Sequence, residues 1–254
     1  GFETRKDWHY DLIARWIREN KPGVGTGWEP YPISRRIINW IKWALDGASI
    51  NADVLHILAI QARFQSKRIE WHLLGNHILA NAVALIFAGS FFEGRDAEGW
   101  LRKGLKILDS QLDEQILGDG GHFELSPMYH AIVLRDLLDL YNLAGCYRQI
   151  NRLQVRRKKW EDIINRMRSW LLAMTHPDGD ISFFNDATFG VAPNTPMLES
   201  YARRLGLKNV FAPRDGCTYL EKSGYIRLQN NDAVAILDCA PIGPDYQPGH
   251  AHAD

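Results

Sequence analysis

The sequence predicts a mainly α chain of helical hairpins that gives way to an antiparallel sheet near Gly216. Three observations carry that reading. Apolar residues recur with helical spacing in six successive segments. Two loops echo each other, Asp119-Gly120-Gly121-His122-Phe123 and Asp178-Gly179-Asp180-Ile181-Ser182-Phe183, each after a helix and about 60 residues apart, the trace of a repeated hairpin. After about Gly216 the helical period is replaced by short β-branched and apolar runs.

The elements follow in order. Pro32 opens a helix with Ile33, Ile37, Trp40, Ile41 and Ala44 on one face, and Asn51 caps the next, through about Phe64. Residues 69–89 read as one helix, apolar almost all round and therefore buried. Asp96 starts another, with Leu101, Leu105, Leu108 and Leu112 in register. Ser126 and Pro127 are a natural N-cap and first residue for a helix to about Ala144, ending at Gly145. Trp160, Ile163, Ile164, Met167, Trp170, Leu171 and Met174 mark an amphipathic helix closed by His176-Pro177, and Arg152, Arg156, Arg157, Lys158 and Lys159 read as its solvated entry. Thr195-Pro196 opens a short helix that stops at Gly206. Thr218–Lys222, Tyr225–Gln229 and Ala233–Cys239 read as strands, with Asn230-Asn231 as a turn. A sheet that stops after three or four strands leaves an open edge and an uncovered face, so the natural protein is expected to be longer.

Composition bounds the function. With 254 residues, 46% of them hydrophobic, the chain can bury a substantial core. Thirty basic residues balance thirty acidic ones, which argues against a nucleic-acid partner but leaves room for a local basic groove. Nine Trp, nine Tyr and ten Phe suit a sugar-binding cleft and a helical core equally. Cys146, Cys217 and Cys239 have no motif spacing and imply no disulfide framework. No apolar run reaches membrane-spanning length without polar interruption, so no membrane insertion is expected, and no signal peptide is visible in a chain that begins Gly-Phe-Glu and reads as an excised fragment.

Three polar clusters stand out. Gly118 to His130 packs His122, His130, Asp119, Glu124 and Tyr129 into the passage from a glycine-rich loop to a helix. Tyr129 falls in the first helical turn, where unpaired N–H groups and the helix dipole favour negative charge. Beside histidines, its phenol is expected to ionise more easily and to act in acid/base chemistry; the alternative is an ordinary capped helix with a half-buried tyrosine. The second cluster places His72, Asn76, His77 and Asn81 in the apolar helix, His72/Asn76 and His77/Asn81 each sharing a face at i,i+4. Buried amides and imidazoles need partners, and a lone histidine there would more often be a satisfied core residue than a catalyst. In the third, His250, His252 and Asp254 alternate along an extended segment and so point to one side, a pattern that suits a metal or one catalytic imidazole with supports.

Together these clusters resemble the heparinase II/III family of polysaccharide lyases. The matching pieces are Asn76-His77 in an apolar helix, Gly-His-Phe-Glu-x-Ser-Pro-x-Tyr-His from Gly121 to His130, and Gly-His-x-His-x-Asp from Gly249 to Asp254, spaced by about 50 and then 120 residues. The Trp28–Trp40 segment looks like the opening of the helical domain in relatives. The resemblance implies an incomplete (α/α) toroid over 1–215, followed over 216–254 by the first strands of an antiparallel β-sandwich. It also implies β-elimination of a uronic-acid-containing acidic polysaccharide, glycosaminoglycan or bacterial exopolysaccharide, at an active site at the junction, and a periplasmic or secreted location, with the cytoplasm left open. No cofactor is required for catalysis. His252 and Asp254 match family positions near a structural metal, zinc or calcium, whose further ligands are not in this sequence.

The chemistry assigns roles. Elimination needs the uronate carboxylate neutralised, a base at C5 and an acid at the leaving O4. Asn76 fits neutralisation, because an amide donates without ionising. Tyr129 fits base and acid where both groups leave from one face of the ring. His77 or His250 would share the second proton task or keep Tyr129 ionised, with His122, Glu124, His130 and His72 as binding or supporting residues. His250 is expected within reach of the Tyr129 and Asn76 region. Two competitors remain. A glycoside hydrolase on the same fold would draw two carboxylates from Asp119, Glu124, Asp178, Asp180 and Asp186, and a non-catalytic glycan-binding protein of a polysaccharide pathway would need only the aromatic cleft. Oligomeric state is not legible.

Overall fold

The computed structural model describes residues 6–48, 50–231, 233–246 and 249. Among them the chain is mainly α, with helical hairpins followed by a short antiparallel sheet, the element order of part of an (α/α) toroid followed by the first strands of a sandwich. It divides into two compact units, Gly1–Asp109 and Ser110–Asp254.

The first unit holds α1 (Lys6–Glu19), a 3-10 turn at Thr26–Trp28, α2 (Pro30–Leu45), α3 (Ala52–Lys67), α4 (Gly75–Phe91) and the start of α5 (Arg95–Gln115). α1 has no counterpart among the expected elements; its residues are mostly exposed, so its apolar stripe is thin. α2 begins two residues before the expected Pro32, because Pro30 also fits the first turn. Asn51 caps α3, its side chain accepting from the Val54 N–H at 2.9 Å. α4 is buried almost all round, as expected, but it starts at Gly75 rather than at residue 69. Leu74 and Gly75 have φ of 58° and 54°, and two consecutive left-handed residues break a right-handed helix.

The second unit holds α6 (Pro127–Cys146), α7 (Asn151–Ala173), α8 (Thr195–Arg204) and the strands β1 (Gly216–Leu220), β2 (Tyr225–Asn230) and β3 (Ala233–Asp238), paired antiparallel in chain order. α8 is fastened to α7 by the fully buried Arg168, whose guanidinium donates to both Glu199 carboxylate oxygens at 2.8 and 2.5 Å. The sheet is fastened to the end of α7. Arg227 on β2 donates to the Ala173 and Thr175 carbonyls at 3.0 and 2.8 Å, putting a cation where the helix dipole is negative. Beneath it, Leu125, Trp170, Met174 and Tyr225 form a core with Phe184, Leu220 and Ile236 against it.

The two echoing loops are the same structure built twice. Leu117 and His176 donate to Gly121 and Asp180 carbonyls, both at 2.8 Å; Phe123 and Ser182 donate to Gln115 and Met174, again both at 2.8 Å. Asp119 and Asp178 each accept from the backbone N–H two residues on, at 3.1 and 2.9 Å. Gly120 and Gly179 sit at φ 95° and 92°. At Gly120 a Cβ would also lie 2.4 Å from the Arg166 backbone. Gly120→Ala should therefore lower the unfolding free energy by about 2–4 kcal/mol, through strain and overpacking together; a chemical-denaturation midpoint equal to wild type would show that α7 can yield.

Candidate functional site

In the first unit the candidate residues gather around a side chain that no motif pointed to. Glu70, 4% exposed, lies in the turn before α4. One carboxylate oxygen accepts from His77 Nδ1 at 3.2 Å and the other from Asn81 Nδ2 at 2.9 Å. Asn81 returns the contact by accepting from the Glu70 N–H at 3.0 Å, and its amide also donates to Ser34 Oγ at 3.1 Å. Burial pushes the Glu70 carboxyl up, but the His77 and Asn81 hydrogen bonds, with the His77 and His72 charges, bring it below the ordinary glutamate value. The i,i+4 pair His77/Asn81 thus shares a face and a partner.

Asn76 stands in the first turn of α4, only 9% exposed, and no hydrogen bond among the described residues ties its amide down. Its position near the positive end of the helix suits an anionic ligand. His77 is about one-third exposed, its ring 4.7 Å from Tyr31. His72 departs from expectation. It lies exposed in the turn before α4, so the His72/Asn76 spacing places no shared helix face. With Trp28, Glu29, Arg68 and Glu70 it lines a cleft of about 410 Å³.

In the second unit Tyr129 occupies the first turn of α6, and Ser126 caps that turn by accepting from the Tyr129 N–H at 3.3 Å. The half-buried phenol donates to Asp186 Oδ2 at 3.3 Å. The Asp186 carbonyl accepts from Ser126 Oγ at 3.1 Å, so the cap and the loop after residue 182 are joined. Asn185, at φ 54°, donates to the Leu125 carbonyl at 3.1 Å and the Tyr225 hydroxyl at 2.9 Å. The sequence offers Asp186 only as a candidate hydrolase carboxylate. Its place beside Tyr129 spans 57 residues and has no local signal.

The two histidines of the motif are fully buried. His122 Nε2 donates to Gln115 at 3.0 Å; His130 Nε2 donates to the Met167 carbonyl at 2.9 Å while its Nδ1 accepts from the His122 N–H at 3.2 Å. Burial, helped by His130, lowers His122 to about 3. Burial lowers His130 to about 4 against opposing contributions from Met167 and Asp119. Both are neutral near pH 7, so the expectation that they help Tyr129 ionise loses its cause. Glu124 is buried too, at 3% exposure, and its charge joins burial and Glu114 in pushing the Tyr246 phenol up to about 12. Asp119 is committed to structure, accepting from the N–H groups of Gly121, Lys222 and Ser223 and from the Ser223 hydroxyl.

His250, His252 and Asp254 lie outside the described residues. Among the described residues no group of three or more His, Cys, Asp or Glu is placed to hold a metal ion, and no helix is long and apolar enough to cross a membrane. Cys146, Cys217 and Cys239 are free thiols.

The Heparinase II/III N-terminus family model matches residues 4–212, and the Heparinase II/III-like, C-terminal model matches residues 212–254. The chain belongs to the heparinase II/III family. A heparin-sulfate lyase of Bacteroides stercoris is 31% identical over 128 residues, covering 50% of this chain and 18% of that protein. FtsZ-localized protein C of Caulobacter vibrioides is 28% identical over 241 residues, covering 92% of this chain and 39% of that protein. This family member therefore spans well under half the length of either relative. Its fold matches the crystal structure of heparinase III with a TM-score of 0.75 at 22% identity, over 96% of this chain and 43% of that one.

The buried imidazoles set a pH dependence. The unfolded chain binds protons on His122 and His130 as pH falls below about 6.5, whereas the folded chain binds them only near 3 and 4. Stability is thus intact above that window and falls as pH drops through it, by up to about 1.4 kcal/mol per pH unit per histidine. Urea midpoints measured from pH 7 to pH 4 should fall, and His130→Gln should flatten the slope; an unchanged slope in that variant would remove His130 as a source.

Proposed function

We propose that the chain carries the helical part of a polysaccharide lyase that cleaves a uronic-acid-containing polysaccharide by β-elimination. The observation that supports this most is the Tyr129 phenol at a capped helix N-terminus, aimed at Asp186. In the resting geometry the phenol is a donor. In this reading Asp186 first accepts the phenol proton, the phenolate then takes the C5 proton, and the re-formed phenol protonates the leaving O4. Asn76 donates to the substrate carboxylate, and His77, held by Glu70 through Nδ1, offers Nε2 for the second proton task. Family membership supports the reaction class, and the heparin-sulfate lyase named among the relatives supports an acidic glycan as substrate. A periplasmic or secreted location belongs to the same proposal, since such polymers lie outside the cytoplasm.

A second reading has one observation in its favour. The match to FtsZ-localized protein C spans 92% of this chain. Under that reading the fold serves in assembly rather than catalysis.

Incubation with a panel of acidic glycans, followed through the near-ultraviolet absorbance of an unsaturated uronate, separates the readings. Tyr129→Phe removes one oxygen and should cut turnover by about 10²-fold or more while binding survives. Near-normal turnover would take Tyr129 out of the mechanism. Asn76→Asp should be worse than Asn76→Ala, because an anion then faces the substrate carboxylate in a low-dielectric site. A saturated reducing sugar, abolished by Glu124→Gln, would instead establish hydrolysis, and no glycan product at all would favour assembly.

A further inference from the structure

We propose that Glu70 is the positioning residue for His77, fixing its imidazole with Nδ1–H on the carboxylate and Nε2 turned to the substrate. The role of His77 toward substrate rests on the lyase reading above; the dyad itself stands on geometry. Glu70 is held from three sides. Its N–H and one carboxylate oxygen are bound by Asn81 on α4, Asn81 is bound by Ser34 on α2, and Ser34 Oγ donates to the Pro30 carbonyl at 2.8 Å. The carboxylate cannot swing without breaking this chain of bonds. Its remaining oxygen meets His77.

A purely structural carboxylate at this depth would be satisfied best by a partner buried with it, as Asn81 is. His77 instead stays about one-third exposed, and no hydrogen bond among the described residues engages its Nε2. An anionic acceptor at Nδ1 requires a proton there and leaves Nε2 as the working nitrogen, the logic by which a buried carboxylate sets a catalytic imidazole. The charged and titratable groups facing this carboxylate are His77 from α4 and His72 from the turn, with Tyr31 of α2 against the His77 ring. Glu29 and Arg68 line the same cleft as Glu70. Neither they nor His72 substitutes for the direct bond to Nδ1.

Histidine side-chain ¹⁵N NMR on the whole chain tests this, with Glu70→Gln and Glu70→Asp beside wild type. Gln keeps an oxygen for Asn81, removes the charge and turns an amide N–H toward His77 Nδ1. Neutral His77 should be the Nδ1–H tautomer in wild type and switch to the Nε2–H tautomer in Glu70→Gln, where an amide N–H faces Nδ1. In the glycan assay kcat should drop on the order of tenfold with KM little changed, and Glu70→Asp should restore part of both readouts. An Nε2–H tautomer in wild type, or the same His77 tautomer in wild type and Glu70→Gln, would overturn the dyad. Absence of any unsaturated product while His77 switches tautomer as stated would remove the lyase reading and leave the dyad standing.

Discussion

In the second unit almost every part that bears on Tyr129 is built against one indole. Trp170 is fully buried on α7. Its Nε1 donates to Ser223 Oγ at 2.8 Å, and that hydroxyl donates in turn to Asp119 at 2.9 Å, so the glycine-rich loop and the β1–β2 turn are tied through it. The His130 ring stacks on its face with centroids 4.4 Å apart, and Tyr225 meets it edge-on at 5.9 Å. Gly121 passes so close that a Cβ would lie 2.7 Å from the indole nitrogen. The loop, the first turn of α6 and the sheet are therefore registered to a common surface. The motif from Gly121 to His130 reads, in this light, as packing chemistry that fixes the first turn of α6.

The second constraint is backbone strain. Among the described residues, those other than glycine in the left-handed region are Leu74, Leu125 and Asn185. Leu74 lies two residues before Asn76, Leu125 four before Tyr129, and Asn185 one before Asp186. Each such conformation costs on the order of 1–3 kcal/mol and persists only where its surroundings over-determine it. Around Leu125 the over-determination is explicit. Its carbonyl accepts from the Tyr225 hydroxyl at 2.8 Å and from Asn185, while its N–H donates to the His122 carbonyl. In each unit, then, strain lies close to a candidate polar side chain, and around Leu125 it is absorbed by buried bonds.

What could be read from the sequence was local. Asn51 and Ser126 announce their helices because a cap is made within three residues, and the Asp-Gly loops announce themselves because an Asx bond and a left-handed glycine need no distant partner. The strands were legible through β-branched runs and the Asn230-Asn231 turn. The start of α4 was not, since nothing in a leucine signals φ of 58°. Glu70 and Asp186 were missed as partners because their significance lies in contacts made across a turn or across a loop 57 residues away. Nor does composition reveal that His122 and His130 are neutral, which follows from complete burial, with Gln115 bonded to the first and Met167 and Trp170 of α7 against the second.

The carboxylates also bear on the choice between elimination and hydrolysis. A glycosidase needs two of them facing one bond in opposite protonation states. Here they act mainly as fixers of other groups. Asp119 holds the glycine loop to the sheet turn, Asp178 closes its own loop, Glu199 neutralises Arg168, Asp139 accepts from Tyr201, Glu70 holds His77 and Asp186 accepts from Tyr129. Among the described residues, Asn76 in the first unit is a buried amide, His77 beside it a half-buried imidazole, and Tyr129 in the second unit a half-buried phenol. β-Elimination asks for carboxylate neutralisation and proton transfer at C5 and O4 without an acid of raised pKa, a demand that amide, imidazole and phenol groups meet and that glycoside hydrolysis does not make. Of the carboxylates a hydrolase would draw on, Asp119, Asp178 and Asp186 would have to be recruited from hydrogen bonds they already make.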